Sequence, residues 1–213
     1  MSRMAEAFPV LRDTPKSRRT RARILDEAVR VIAEQGYAAT TNAAVAEAAE
    51  ITRGAMLYHF PTRENLLEAA IEHIQQQRAD LFREATDSLP PGADVTEHAI
   101  ETYWQLLHRM PFVAFAELET AARTDPLVRD LLAPSLADFD RAQIGDHFLK
   151  MLHAGAGPRF QASRDLARFM LEGMARAQVT YDRDERVERL LSVIKRATHM
   201  LNRKGGVTDL WPE

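Results

Sequence analysis

Apolar residues recur every three to four positions along most of this 213-residue chain, and no stretch of useful length alternates apolar with polar. That period is helical. The pattern predicts an all-α protein with helices over about 17–35, 42–49, 52–58, 63–88, 95–110, 112–123, 127–153 (interrupted near Pro134), 163–181 and 184–202. Ile24, Leu25, Ala28, Val31 and Ile32 form the inward stripe of the first helix, and Gly36 follows its last turn, where glycine commonly ends a helix. Thr41, Thr52 and Thr62 each stand where a capping side chain is expected. Asp94-Val95-Thr96-Glu97 and Asp182-Arg183-Asp184-Glu185 have the form of capping boxes. Residues 1–13 are expected to be an arm, 14–62 a small head, 63–204 a helical body and 205–213 a tail.

The second and third helices are about two turns each, too short to stand alone. Held at a fixed angle across a tight turn, they form a helix-turn-helix. Such a unit reads DNA when the second helix carries short side chains that let it enter the major groove and a few long ones that reach base edges. Thr52-Arg53-Gly54-Ala55 fits: Gly54 and Ala55 permit close approach, Arg53 suits a guanine or a phosphate, and Ala55 a thymine methyl. Tyr58 and His59 at the far end offer a hydroxyl and an imidazole to phosphate. Thr41, Thr62 and Arg63 offer donors at helix starts, which favour phosphate. The net charge of −3 is unusual for a DNA binder, but residues 12–23 hold Arg12, Lys16, Arg18, Arg19, Arg21 and Arg23 against Asp13 alone. Phosphate binding needs a local basic face, not a basic protein.

Residues 36–65, read together, resemble the DNA-binding head of the tetracycline-repressor-like (TetR) family of bacterial transcription regulators. The resemblance is specific over about residues 17–66. It implies that Thr41, Thr52, Arg53, Tyr58, His59 and Arg63 occupy positions that usually contact DNA. Two positions depart from the family pattern: Glu50 stands where glycine is usual in the turn, and Ala43 where a long polar residue is frequent. A positive φ at Glu50 costs on the order of 1 kcal/mol relative to glycine.

The middle helices carry many large apolar side chains, which build either plain core or a pocket adapted by aromatics and methionines. The family resemblance implies a pocket among these helices. Candidate lining residues are Trp104, Gln105, His108, Phe112, Phe115, Glu117, His147, Phe148, Met151, Phe169, Met170 and Met174. The last two helices are apolar on more than one side and must bury more than one face. Leu166, Gly173, Ala177, Tyr181, Val187, Leu190, Leu191, Ile194, Ala197 and Leu201 are the candidates for a dimer interface. In the family such helices form a four-helix bundle about a two-fold axis.

Composition removes most other functions. There is no cysteine, hence no disulfide scaffold, thiol nucleophile or cysteine-ligated metal. No apolar run reaches the roughly 18 residues of a membrane-spanning helix, and a cytoplasmic location is expected. No Gly-rich phosphate loop or His-Glu-x-x-His is present, no histidine pair has i,i+4 spacing, and Glu117 and Glu119 project to different sides of one helix. Neither an enzyme nor a cofactor is expected. The expectation is a homodimeric regulator, most simply a repressor, that binds a pseudo-palindromic double-stranded DNA operator and is released by a small, mostly apolar molecule. The alternative is an architectural or partner-controlled DNA binder with no small-molecule effector; ligand dependence of operator binding separates the two.

Overall fold

The computed structural model describes residues 14–87, 89–139, 158–177 and 184–202. The expected arm and tail, His147, Phe148, Met151 and Tyr181 lie outside the described residues. The described chain is helical, with helices α1 Pro15–Gln35, α2 Asn42–Ala48, α3 Arg53–His59, α4 Arg63–Asp87, α5 Val95–Leu106, α6 Met110–Ala122, α7 Pro126–Phe139, α8 Pro158–Ala177 and α9 Asp184–Asn202. A short 3-10 turn, Tyr37–Ala39, joins α1 to α2.

The helix starts are set by side chains. Thr14, Thr41, Thr52 and Asp94 accept hydrogen bonds from Ser17 N, Ala44 N, Ala55 N and Glu97 N, each satisfying an otherwise orphaned donor. Gly36, at φ 82°, ends α1. α7 differs from expectation: it continues through Pro134. The proline removes one backbone donor, but Val128 and Leu132 before it are fully packed and hold the preceding turns.

Two hydrophobic cores stack along α4. The first joins Ile24, Ala28 and Ile32 of α1, Val45 of α2, Met56 of α3, Leu66, Ile71 and Ile74 of α4, Phe115 and Leu118 of α6, and Val128 and Leu132 of α7. It therefore runs across the expected boundary between head and body. The second joins Phe82, Ile100, Tyr103, Phe112, Ala167, Leu171, Met174, Val187 and Ile194. α6 contributes to both: Phe115 and Leu118 face the head, whereas Phe112 enters the second core. None of the described helices is long and apolar enough to cross a membrane.

Candidate nucleic-acid interface and effector cavity

The turn between α2 and α3 is a Schellman motif. Ile51 N donates to Ala46 O at 3.0 Å, Glu50 N donates to Glu47 O at 3.0 Å, and Glu50 sits at φ 50°. Glu50 thus occupies the left-handed position that glycine fills without strain. Asn42 Nδ2 donates to Phe60 O at 2.8 Å, which ties the start of α2 to the end of α3. Met56 and Phe60 anchor α3 in the core. These contacts fix the angle of a helix only seven residues long.

The opposite side of α3 faces outward. Thr52, Arg53 and Gly54 are exposed, Ala55 is half-buried, and Tyr58 is 46% exposed. A Cβ added at Gly54 would have Thr52 Oγ1, at 4.0 Å, as its nearest neighbour. Nothing among the described residues requires a glycine there. The basic start of α1 lies beside the end of α3, with the Arg21 guanidinium 4.5 Å from the centre of the Phe60 ring. Arg18 and Arg19 are exposed on the same turns of α1. Ala43 and Glu47 of α2 are exposed and offer no long donor.

Two expected phosphate contacts are placed otherwise. His59 is only 8% exposed, and burial together with the Arg21 charge holds its imidazole below the usual histidine range. Arg63 turns inward. Its Nε donates to Thr40 O at 2.7 Å, and its two terminal nitrogens donate to Tyr37 Oη at 3.1 Å and Tyr37 O at 3.0 Å. Its guanidinium also stacks on the Tyr37 ring at 4.4 Å. Tyr37 Oη in turn donates to Asp125 Oδ2 at 2.8 Å, and Asp125 Oδ1 accepts from Leu127 N at the start of α7. Arg63 is therefore a clamp joining α4, the 3-10 turn and α7. Thr62 accepts from Asn65 N at 3.1 Å, as a helix cap does.

In the body, a cavity of about 350 Å³ lies between α4, α5, α6 and α8. Tyr103, Leu107, Phe112 and Phe115 supply apolar wall, and Arg78, Glu119, Glu172 and Arg176 supply charge. Arg78 is 2% exposed and lies 3.7 Å from the Phe115 ring centre and 4.9 Å from that of Phe112. Burial lowers its pKa to about 10, which leaves it charged at neutral pH. Glu172 Oε1 accepts from Tyr103 Oη and from Arg168 Nε, both at 2.8 Å. Burial raises Glu119 above the usual carboxylate range, the Glu172 charge adds to this, and Arg176, at 2.7 Å, opposes it.

Residues 24–70, which hold most of α1, the whole helix-turn-helix and the clamp, match the family model described as bacterial regulatory proteins, tetR family. Residues 24–70 are thus a TetR-family DNA-binding head. Among curated relatives, the HTH-type transcriptional regulator CymR of Pseudomonas putida is 32% identical over 111 residues, covering 52% of this chain and 55% of CymR. The HTH-type transcriptional regulator TtgR, also of Pseudomonas putida, is 34% identical over 100 residues, 46% of this chain and 48% of TtgR. The chain thus spans about half the length of the curated relatives it matches. Among solved structures, the multidrug binding protein EbrR complexed with ethidium superposes with TM-score 0.57 at 24% identity, covering 86% of this chain and 98% of EbrR. A TetR-family member from Streptomyces coelicolor gives 0.56 at 22% identity, covering 84% and 97%. These two show a shared fold.

The helices and caps of the head were legible in the sequence, His59 and Arg63 were not, and the body was only partly so. Of the expected pocket residues, Phe112, Phe115 and Glu117 line the cavity. Gln105 and His108 are exposed, and His108 Nδ1 lies 2.8 Å from Trp104 O, with its ring 4.7 Å from the half-buried Trp104 ring. Met174 is buried in the second core, and Met170 packs against it. Phe169 is 64% exposed on the outer face of α8, in line with the exposed Leu166 and Gly173. It is part of the surface face, not of the cavity. Val187 and Ile194, expected at the dimer interface, are buried inside the chain, because the wide apolar stripe of α9 turns these two positions towards α5 and α8. Leu190, Leu191, Ala197 and Leu201 are half-buried, and Ala177 likewise. Sequence reading missed Arg78, Tyr103 and Glu172. Arg78 had a signal: it interrupts the stripe Leu67, Ile71, Ile74, Phe82 at helical spacing, so a charge had to be buried there.

Proposed function

We propose that this TetR-family chain is a ligand-responsive DNA-binding transcription regulator, not an enzyme, that reads a pseudo-palindromic operator as a homodimer. The observation that supports the reading most directly is the outward face of α3. Gly54 has open space and no internal reason to be glycine, with Arg53 before it and Tyr58 at the far end. We assign Arg53 and Ala55 to base edges, and Tyr58, Thr41, Thr52 and the exposed Arg18 and Arg19 to the phosphate backbone. The dimer forms through the outer faces of α8 and α9, where Leu166, Phe169, Val193 and Met200 are exposed large hydrophobics. The two-fold axis then sets two α3 helices in successive major grooves.

The cavity between α4, α5, α6 and α8 is the effector site, with aromatic walls for a mostly apolar molecule and charged side chains of both signs for its polar group. α6 carries the signal. It lines the cavity with Phe112, Val113, Ala116 and Thr120, and it presses Phe115 and Leu118 into the core shared with α1. An effector that prefers a shifted α6 changes the separation of the two heads. A tenfold loss of operator affinity requires about 1.4 kcal/mol of such preference.

Selection of random duplex DNA by the purified protein tests the reading. A two-fold symmetric site bound by one dimer, with a steep fall of affinity with salt, is expected. Binding without an enriched symmetric site overturns it in favour of an architectural DNA binder.

A further inference from the structure

A second, separate cavity lies at the end of the body away from the head, between the last turns of α4, the first turns of α5 and α8, and the end of α9. Its volume is about 70 Å³ as space for water-sized spheres, room for on the order of five of them. Phe82, Ala99, Ile100, Ala167 and Leu171 give it a nearly continuous apolar wall. Ser163 lines it at 1% exposure, and its Oγ has no hydrogen-bond partner. A serine inside a helix ordinarily bonds back to the carbonyl four residues earlier or to water. The neighbouring Thr198 does this, donating to Ile194 O at 2.8 Å. Ser163 does not, so an oriented hydroxyl stands open on an apolar wall.

We propose that this cavity is a binding site for a small, uncharged, mainly apolar molecule carrying one hydrogen-bonding group, of the kind a simple phenol represents, with Ser163 Oγ as its polar contact. Water is a poor occupant, because a buried water needs two to four polar partners and, of the described residues that line this cavity, Ser163 alone has a buried side-chain polar atom without a partner. Charge is also a poor fit. The two arginines at the wall are ion-paired, Arg164 with Asp165 and Arg168 with Glu172, both at 2.8 Å. The site goes beyond the effector cavity already described, but the two share a partition. Tyr103 borders both cavities, and the Arg168–Glu172 pair and the Tyr103–Glu172 hydrogen bond stand between them. An occupant of the smaller cavity therefore touches the groups that shape the larger one.

The test uses the full chain, without DNA, and p-cresol with toluene as its hydroxyl-free match. Calorimetry is expected to give saturable, sub-millimolar binding of p-cresol and about tenfold weaker binding of toluene. Methyl NMR is expected to show p-cresol shifting Ile100, Ala167 and Leu171 while Leu107 and Val113, which border the larger cavity, stay in place. Ser163→Ala should bring p-cresol down to the affinity of toluene and, in the empty protein, raise the Tm by removing an unsatisfied buried hydroxyl. Ala167→Phe, which fills the space, should abolish binding. If p-cresol shifts Leu107 and Val113 instead, or binds Ser163→Ala and wild type alike, the proposal is overturned. Because no operator is involved, that result leaves the DNA-binding reading standing.

Discussion

Arg63→Ala separates a clamp from a phosphate contact. In the structure the Arg63 guanidinium makes three hydrogen bonds, at 2.7, 3.0 and 3.1 Å, and one ring stack. Thr40 is buried, so its carbonyl loses its charged donor without easy access to water. A hydrogen bond from a charged donor contributes about 1.5–3 kcal/mol when buried. Arg63 is only half-buried, so roughly 1 kcal/mol each is the fitting figure after water refills two of the sites. The stack on Tyr37 adds about 0.5 kcal/mol. The expected loss is therefore about 3.5 kcal/mol, a fall in Tm of roughly 7–14 °C for a domain of this size. Arg63→Lys should recover little, since a point charge cannot fill a planar fork. Urea unfolding gives the first number, and fluorescence anisotropy on duplex DNA across salt, at a temperature where the variant stays folded, gives the second. A phosphate contact predicts the reverse: stability within about 0.5 kcal/mol of wild type and a salt slope smaller by about one. That pair of results would refute the clamp.

Four further outcomes follow from the same geometry. Glu50→Gly relieves the left-handed strain at φ 50° and should raise stability by about 1 kcal/mol, read as a Tm increase of roughly 2–4 °C. Gly54→Ala places a Cβ no nearer than 4.0 Å to any described neighbour on an exposed helix face, so Tm should hold or rise, while affinity for the selected operator falls at least about tenfold, because the methyl takes up space the groove needs. His59 has a folded pKa below its unfolded value of about 6.5, so its neutral form supports folding; stability measured by urea should be full above pH ~6.5 and decline as the pH falls through the folded value, and His59→Phe should flatten that slope above pH ~5, where carboxylates do not yet titrate. Phe169→Asp places a charge on the exposed outer face of α8 and should give a helical monomer by sedimentation at low micromolar concentration; an unchanged dimer would remove that face from the interface.

The head was readable because its signals are local. Caps at Thr41 and Thr52, the stop at Gly36 and the turn at Glu50 each concern a few neighbouring residues. What sequence reading misplaced depends on partners far along the chain. Arg63 meets Tyr37, 26 residues away, and Tyr37 meets Asp125, 88 residues away. A lone arginine at a helix start looks alike whether it faces solvent or a tyrosine. His59 ends a helix of seven residues, too short for periodicity to say which side is inward. α9 posed the opposite difficulty, with apolar residues on so much of its circumference that Val187 and Ile194 were indistinguishable from Val193 and Met200 until α5 and α8 were in place. Ser163 was visible in hindsight, since it continues the buried stripe of Ala167, Leu171 and Met174 at helical spacing.

The proposed coupling between cavity and head rests on where the core is continuous. Had the first core ended at Thr62, α4 alone would connect the two parts, and a ligand would act through one helix free to bend. Instead α1 packs on α6 and α4, α7 packs on both, and the Arg63–Tyr37–Asp125 chain ties the 3-10 turn to the start of α7. Close-packed interiors do not deform gradually; a wall that moves must carry its neighbours or lose their contacts. Displacing α6 therefore leaves α1 two choices: to follow Phe115 and Leu118, or to leave a cavity beside Ile24 and Ala28. A buried leucine or phenylalanine left facing such a void costs about 2–5 kcal/mol, more than the roughly 1.4 kcal/mol that tenfold operator release requires. Following is the cheaper response, so in the proposed mechanism the same packing that fixes the angle of α3 would also make it answer to the cavity.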